Sequence, residues 1–346
     1  MNLIELTRAL IDIPSNSGEE GAVGDFLFSY LDGLGYRVER QEVAAGRFNI
    51  LAAPGDTRPR VTLSTHMDTV PPHISSSEDE QYVYGRGACD AKGIIAAQIA
   101  ATERLRAEGE SAPGLLFTVD EEMGSLGARA ANEHPHGRAS RFLVNGEPTD
   151  NKLAIGSKGS LRLVIKTEGR AAHSAYPEHG ESAIEKLLDV LALLRACRWP
   201  TDDFFGETTC NVGRIGGGTR PNVIPAEAQA ELQIRLVTDA APVRQIIEEA
   251  VAGRARIEYL SVADPVRMLA VDGFEQCIVR FTTDIPHLKN WGAPLLVGPG
   301  SILLAHTARE RVAKRELSEA VEIYAGLVRS LIARAAEDEA MVEEAR

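Results

Sequence analysis

The sequence predicts an α/β protein: an open mixed sheet flanked by helices, with an inserted ferredoxin-like α+β domain. Three observations predict it. Up to Ala154, short apolar runs alternate with stretches in which apolar residues recur at helical spacing. Residues of metal-binding type stand where several of those runs stop. After Ala154 the texture changes to a period of two, and it changes back near Gly273.

Leu3, Leu6, Leu10 and Ile11 share a helix face, and so do Val23, Phe26, Leu27, Tyr30 and Leu31. Two helices therefore open the chain, with Ser17–Gly18–Glu19–Glu20 read as an N-cap and acidic first turn for the second. Strands follow at 36–43, 49–52 and 60–65, then a helix at 92–105 with Ile94, Ile95, Ile99 and Leu105 on one side. A buried strand at 115–119, a short helix at 123–132 and a strand at 141–144 complete the first part. In sheets with this rhythm, ligands bind beyond the carboxyl ends of the strands.

The run GSLRLVIKTE alternates as a half-solvated strand does. A helix at 183–194, strands at 208–215 and 222–237, a helix at 243–252 and a strand at 256–261 give β-α-β-β-α-β order, the ferredoxin-like pattern. This block lies between candidate ligands at Glu147 and His306, so it reads as an insertion. The expected division is 1–156 and 267–346 for one domain, and 157–266 for the inserted one. A strand at 295–297 precedes a GPG turn, and a long acidic-tipped helix runs from Ser318.

The 346 residues are 44% hydrophobic and 25% charged, enough for a sizeable core. A formal net charge of −13 disfavours nucleic acid as a partner. No apolar run approaches the ~20 residues that cross a bilayer, and MNLIELTRALIDIP lacks a basic leader and a small-residue cleavage site. Cys89, Cys197, Cys210 and Cys277 form no CxxC pair, which fits reduced thiols in a cytoplasmic protein. Cys89 adjoins Asp90; it either lines a site or is a small buried apolar residue.

His66 and Asp68 end the third strand on one face, because side chains alternate along an extended chain. A carboxylate beside a metal-bound imidazole commonly takes its other N–H. Asp90 stands in the glycine-rich GRGACDAKG, where backbone can approach an ion closely. Glu121 and Glu122 are adjacent, so their side chains diverge: one can hold metal while the other serves as a base. Glu147 in NGEP and His306 in AHTARE complete the set. Singly, each has a plain structural reading. Asp90 would be a helix N-cap, Glu121–Glu122 an acidic helix start, and His306 with Glu310 an i, i+4 surface pair. Together, imidazoles and carboxylates at strand ends suit two adjacent divalent metals, with one carboxylate bridging.

The motifs STHMDTVPP, YGRGACDAKG, DEEMGSLGA, NGEPT, AAHSAYPEHGESAI, NVIP before a strand containing Arg235, and GPG followed by AH resemble a known family. It is that of the co-catalytic dizinc amidohydrolases and peptidases, which includes acetylornithine deacetylase, succinyl-diaminopimelate desuccinylase, aminoacylases and glutamate carboxypeptidases. The short segment between Asp68 and Asp90 lacks a Trp–Pro-Phe stretch and looks more like the compact acetylornithine and acetyl-lysine deacetylase branch. The resemblance implies a zinc-peptidase-like catalytic domain and a lid that usually mediates homodimerisation. It puts His66, Asp90 and Glu147 on one metal and Asp90, Glu122 and His306 on the other, with a cis peptide at Asp90–Ala91. Glu121 falls on the general base and Asp68 on the carboxylate behind His66. His173 matches a histidine that helps hold the oxyanion in the partner subunit's site. Asn222 and Arg235 match contacts to the substrate carboxylate; Gly298 and Gly300 are expected to leave room for substrate.

The implied cofactors are two divalent ions, zinc first, with cobalt or manganese possible. The implied reaction is hydrolysis of an N-acyl amino acid by a metal-bridged water, as in amino-acid biosynthesis. A dipeptidase or carboxypeptidase of the same family is the alternative, and a catalytically silent binding homologue is the reading from another class. The glycine cluster GRIGGGTRPN lacks the GxGxxG spacing of a dinucleotide site and leads into a strand.

Overall fold

The computed structural model describes residues 1–55 and 59–344. The chain divides into two compact units. One comprises Met1–Ile155, Met268–Cys277 and Thr283–Arg346, the other Gly156–Arg267 and Ile278–Thr282.

The first unit opens with α1 (Leu3–Ile11), started by a reciprocal capping box between Asn2 and Glu5. α2 (Gly21–Gly33) follows. Its expected Ser17 cap is not made. Glu20 holds the N-cap position without a side-chain bond, and the Ser17 hydroxyl donates instead to the Asp68 carboxylate at 2.7 Å. β1 (Arg37–Ala44) and β2 (Arg47–Ala53) form an antiparallel hairpin. β3 (Val61–His66), the short β4 (Ser77–Glu78) and β5 (Tyr82–Tyr84), and α3 (Lys92–Ala107) come next. β6 (Gly114–Thr118), α4 (Leu126–Asn132), β7 (Phe142–Asn145) and β8 (Leu153–Ser157) complete this stretch. α4 begins three residues later than its pattern predicts, because the Asp120 carbonyl accepts N–H groups from Met123, Gly124 and Ser125 in a tight turn.

The second unit holds β9 (Gly159–Glu168), α5 (Ala183–Ala196), β10 (Thr209–Gly217), β11 (Glu227–Leu236), α6 (Ala240–Val251) and β12 (Arg256–Ala263). Its antiparallel sheet runs β10-β11-β9-β12, the ferredoxin-like order. The period-two pattern of β9 is real: Leu161, Leu163 and Ile165 are buried against Leu187, Val190, Val243 and Ile247 of the two helices. Residue 222 lies outside β11, which starts at Glu227, because 219–226 form the turns that precede it.

Back in the first unit, β13 (Ala293–Leu296) and β14 (Arg311–Ala313) lead into α7 (Lys314–Glu344), which starts before Ser318. The main sheet runs β1-β2-β6-β3-β7-β13-β8. Its four central strands are parallel, and antiparallel partners flank them on both sides. The core packs α1, α2, α3 and α7 through Leu10, Leu27, Ile94, Ile99, Tyr324 and Leu331. Burying each such side chain contributes about 1.5–3 kcal/mol before entropy is counted. No helix among the described residues is long and apolar enough to cross a membrane. All four cysteines are free, and Cys89 is buried.

Parallel register is what positions the site. His66 pairs with Thr118, Ser64 with Asn145, and Asn145 with Leu296. The carboxyl ends of four strands therefore stand side by side, and each is followed within a few residues by a candidate functional residue.

Candidate metal centre

β3 ends on His66, whose ring is fixed at both nitrogens. Nδ1 lies 3.0 Å from the Asp68 carbonyl oxygen and 3.4 Å from its carboxylate, and Nε2 lies 2.9 Å from Asp90 Oδ1. The ring is 1% exposed. Behind it, the Asp68 carboxylate accepts from Ser17 Oγ, the Glu121 N–H at 3.0 Å and the Glu122 N–H at 3.2 Å. Burial alone would raise the Asp68 carboxyl, but the His66 ring, the Ser17 hydroxyl and the Glu122 N–H hold it below the ordinary value. Asp68 thus orients the imidazole and also fixes the turn that presents both glutamates.

Asp90 stands between the two histidines, with Oδ1 toward His66 and Oδ2 3.3 Å from His306 Nε2. Despite burial, these two rings hold its carboxyl well down. The Asp90–Ala91 peptide is cis, and Ala91, not Asp90, is the N-cap of α3. The N-cap reading of Asp90 is therefore set aside. Glu122 Oε1 lies 2.8 Å from His306 Nε2. Glu147 is buried, 4.0 Å from His66 Nε2, and its Oε1 has no hydrogen-bond partner among the described residues. Burial and the Glu147 carboxylate push Glu121 well up, and burial does the same to Glu147.

The centre brings His66, Asp68, Asp90, Glu121, Glu122, Glu147 and His306 together. Ligand atoms of His66, Asp90 and Glu122 lie within 4.8 Å of one another, and so do those of His66, Glu121 and Glu147. The donor set fits divalent cations. Buried carboxyls facing one another are each pushed up, one buried oxygen is orphaned, and both imidazoles aim nitrogen at carboxylate. Cations would supply the missing positive charge.

Gly298 and Gly300 serve neighbouring loops. A Cβ on Gly298 would meet the Glu147 carbonyl at 2.6 Å, and one on Gly300 (φ +84°) would meet Cys89 Cβ at 2.5 Å. Their missing side chains make room for the chain segments that carry Glu147 and Asp90. His173, Asn222 and Arg235 lie in the other unit. His173 is exposed, and its Nδ1 accepts from the Ala175 N–H at 3.2 Å. The Asn222 carbonyl accepts from Ser174, and Arg235 Nη1 donates to Thr282 Oγ1 at 2.8 Å.

Several supporting residues escape a sequence reading. Glu310 is not part of a helix-surface pair. It is buried, bonds Arg86 Nη1 at 2.5 Å, and accepts the N–H groups of Gly87 at 2.9 Å and Asp90 at 3.3 Å. Arg47 joins the buried carboxylates of Glu20 and Asp120 at 2.7 and 2.6 Å, tying down the residue before Glu121, which has φ +71°. Asp284 accepts from Thr118 Oγ1 at 2.8 Å, beneath the same turn. Cys89 has the plain role: its thiol points toward Ser301 O and Glu310, and burial pushes its pKa well up.

Residues 155–258 match the family described as a peptidase dimerisation domain. A peptidase M20 domain-containing protein of Schizosaccharomyces pombe is 36% identical over 337 residues, covering 94% of this chain and 84% of its own. A probable carboxypeptidase of Paracoccidioides brasiliensis is 37% identical over 379 residues, covering 96% and 86%. Among solved structures, an M20 family metallo-carboxypeptidase from Sulfolobus solfataricus superposes with a TM-score of 0.78 at 15% identity, covering 95% of this chain and 99% of that one.

Proposed function

The chain belongs to the M20 peptidase family, and from that premise we propose that it hydrolyses the amide bond that joins an acyl group to an amino acid with a free α-carboxylate. That bond is shared by a C-terminal peptide linkage and an N-acyl amino acid, so the carboxypeptidase and deacylase readings are one chemistry with different acyl groups. The relatives named as carboxypeptidases favour short peptides as the acyl donors.

The convergence of His66, Asp90, Glu122, Glu147 and His306 with Glu121 beside them carries the proposal. His66, Asp90 and Glu147 would hold one divalent ion, and Asp90, Glu122 and His306 the other, zinc being the ion these donors suit best. When bound, the pair supplies Lewis acidity that polarises the scissile carbonyl and acidifies water. Glu121 accepts a proton from the attacking water and returns it to the departing nitrogen. Asp68 keeps His66 in one tautomer and orientation. His173 is proposed for the oxyanion, and Asn222 and Arg235 for the substrate carboxylate, a task that suits a guanidinium fork. The match of 155–258 to a dimerisation domain supports a homodimer formed through that region.

The test is a panel of N-acetyl amino acids, N-acetyl dipeptides and the same compounds as C-terminal amides, assayed with zinc or cobalt. Free acids should be cleaved and the amides spared. Equal cleavage of acids and amides would remove the carboxylate requirement.

A further inference from the structure

We propose that Glu39, His134 and His136 form a separate, peripheral site for one divalent ion of the zinc type, and that this ion clips the end of α4 to strand β1. One ligand atom from each of the three side chains lies within 4.8 Å of the other two. His134 Nε2 is 3.0 Å from Glu39 Oε1. Donors about 2.1 Å from a shared zinc ion sit roughly 3–3.5 Å apart, so this pair needs little movement. The His134 and His136 rings are 4.7 Å apart between centroids and meet edge-on at 74°. The two rings are in contact, and side-chain rotation can bring their ligand atoms to one ion. Pro135, between them, restricts the backbone on both sides.

The setting gives the ion a job. β1 is the edge of its sheet, and α4 is the helix that follows the Glu121–Glu122 turn. Gln41 lies on the same face of β1 as Glu39 and already donates to the Ala130 carbonyl of α4 at 2.9 Å. Glu39 and His134 make a second tether just beyond the helix end. In it, His134 Nδ1 accepts the His136 N–H at 3.3 Å, so Nε2 carries the proton toward Glu39. The ion takes the place of that proton, which passes through solvent to Nδ1, so the ring stays neutral and the weak Nδ1 contact is given up. The Glu39 side chain is half exposed, so water can complete the coordination. β1 is three strand positions from β3, roughly 14 Å at ~4.8 Å per strand, which makes this ion distinct from any held by His66.

The experiment is zinc binding by equilibrium dialysis of the full-length, chelator-stripped chain at low-micromolar free zinc, with metal counted per chain. His134→Ala/His136→Ala should bind one zinc fewer than wild type and keep its hydrolytic activity within twofold. Glu39→Gln should weaken the same site at least tenfold. Asp90→Ala/His306→Ala should retain the peripheral ion. Zinc should also raise the Tm of that central double variant, and adding the two His134 and His136 substitutions to it should abolish the rise. Unchanged stoichiometry in His134→Ala/His136→Ala, or a peripheral ion that binds only at millimolar zinc, would overturn the proposal. Failure of the central reading looks different: there, Asp90→Ala/His306→Ala would bind as many ions as wild type.

Discussion

The two histidines of the centre sit in opposite surroundings. His66 ends a strand buried on both faces, is 1% exposed, and is held at both ring nitrogens. His306 lies in a loop with φ +63°, is 48% exposed on its side chain, and meets its partners through Nε2. One flank is built into the sheet and braced from behind by Asp68. The other is delivered by a segment whose backbone is itself in an uncommon region. A centre made this way should hold its two ions unequally. The His66 flank is preorganised and dry, whereas the His306 flank is open to water and to exchange.

The largest expected effect falls on neither flank but on Glu121, the residue proposed as the base beside them. Glu121→Gln should retain both ions and lose about 10²–10⁴-fold in kcat, measured against metal content on the same preparation. Loss of metal together with rate would make Glu121 a ligand instead. Next comes the contrast itself. His66→Ala leaves the Asp68 and Asp90 carboxylates buried without their imidazole and should cost about 3–5 kcal/mol by denaturant unfolding. His306→Ala should cost under ~1 kcal/mol and release one ion at lower chelator concentration. Equal costs would remove the asymmetry. Arg47→Met tests the brace under the glutamate turn: it strands Glu20 and Asp120 and should cost about 3 kcal/mol with a fall in kcat and little change in KM.

The smallest effect is a pH dependence of the ion-stripped protein. Hydrogen bonds to Asp90 and Glu122 hold the His306 imidazole up to about 10, against an ordinary 6.5. The folded value is raised, so the contribution is complete below pH 6.5 and is lost as pH rises through about 10. Solvent screening keeps it under ~1 kcal/mol. The Tm difference between stripped wild type and His306→Ala should therefore shrink across that window. A difference constant with pH would show that the ring is not protonated there.

Much of this was legible in the sequence because it follows short-range rules. β9 shows its period of two along Leu161, Leu163 and Ile165, and three of the candidate ligands, His66, Glu122 and Glu147, stand at or just after apolar runs that do become parallel strands. What was hidden depends on distance along the chain. Glu310 looks like a helix-surface partner of His306, yet it reaches back 224 residues to Arg86. Ser17 reads as a helix cap, yet the helix starts only at Gly21, and the Ser17 hydroxyl donates to a buried carboxylate 51 residues away. The Glu20–Arg47–Asp120 network is invisible for the same reason: no periodicity marks which charged residues a fold will bury together.

The account rests on two ions sharing Asp90, and zinc-edge anomalous diffraction from crystals of the zinc-loaded protein tests it most directly. It predicts two peaks about 3.5–4 Å apart on either side of the Asp90 carboxylate, one beside His66 and Glu147, the other beside Glu122 and His306. A map with no peak between those side chains, from protein that is active and fully loaded, would contradict it.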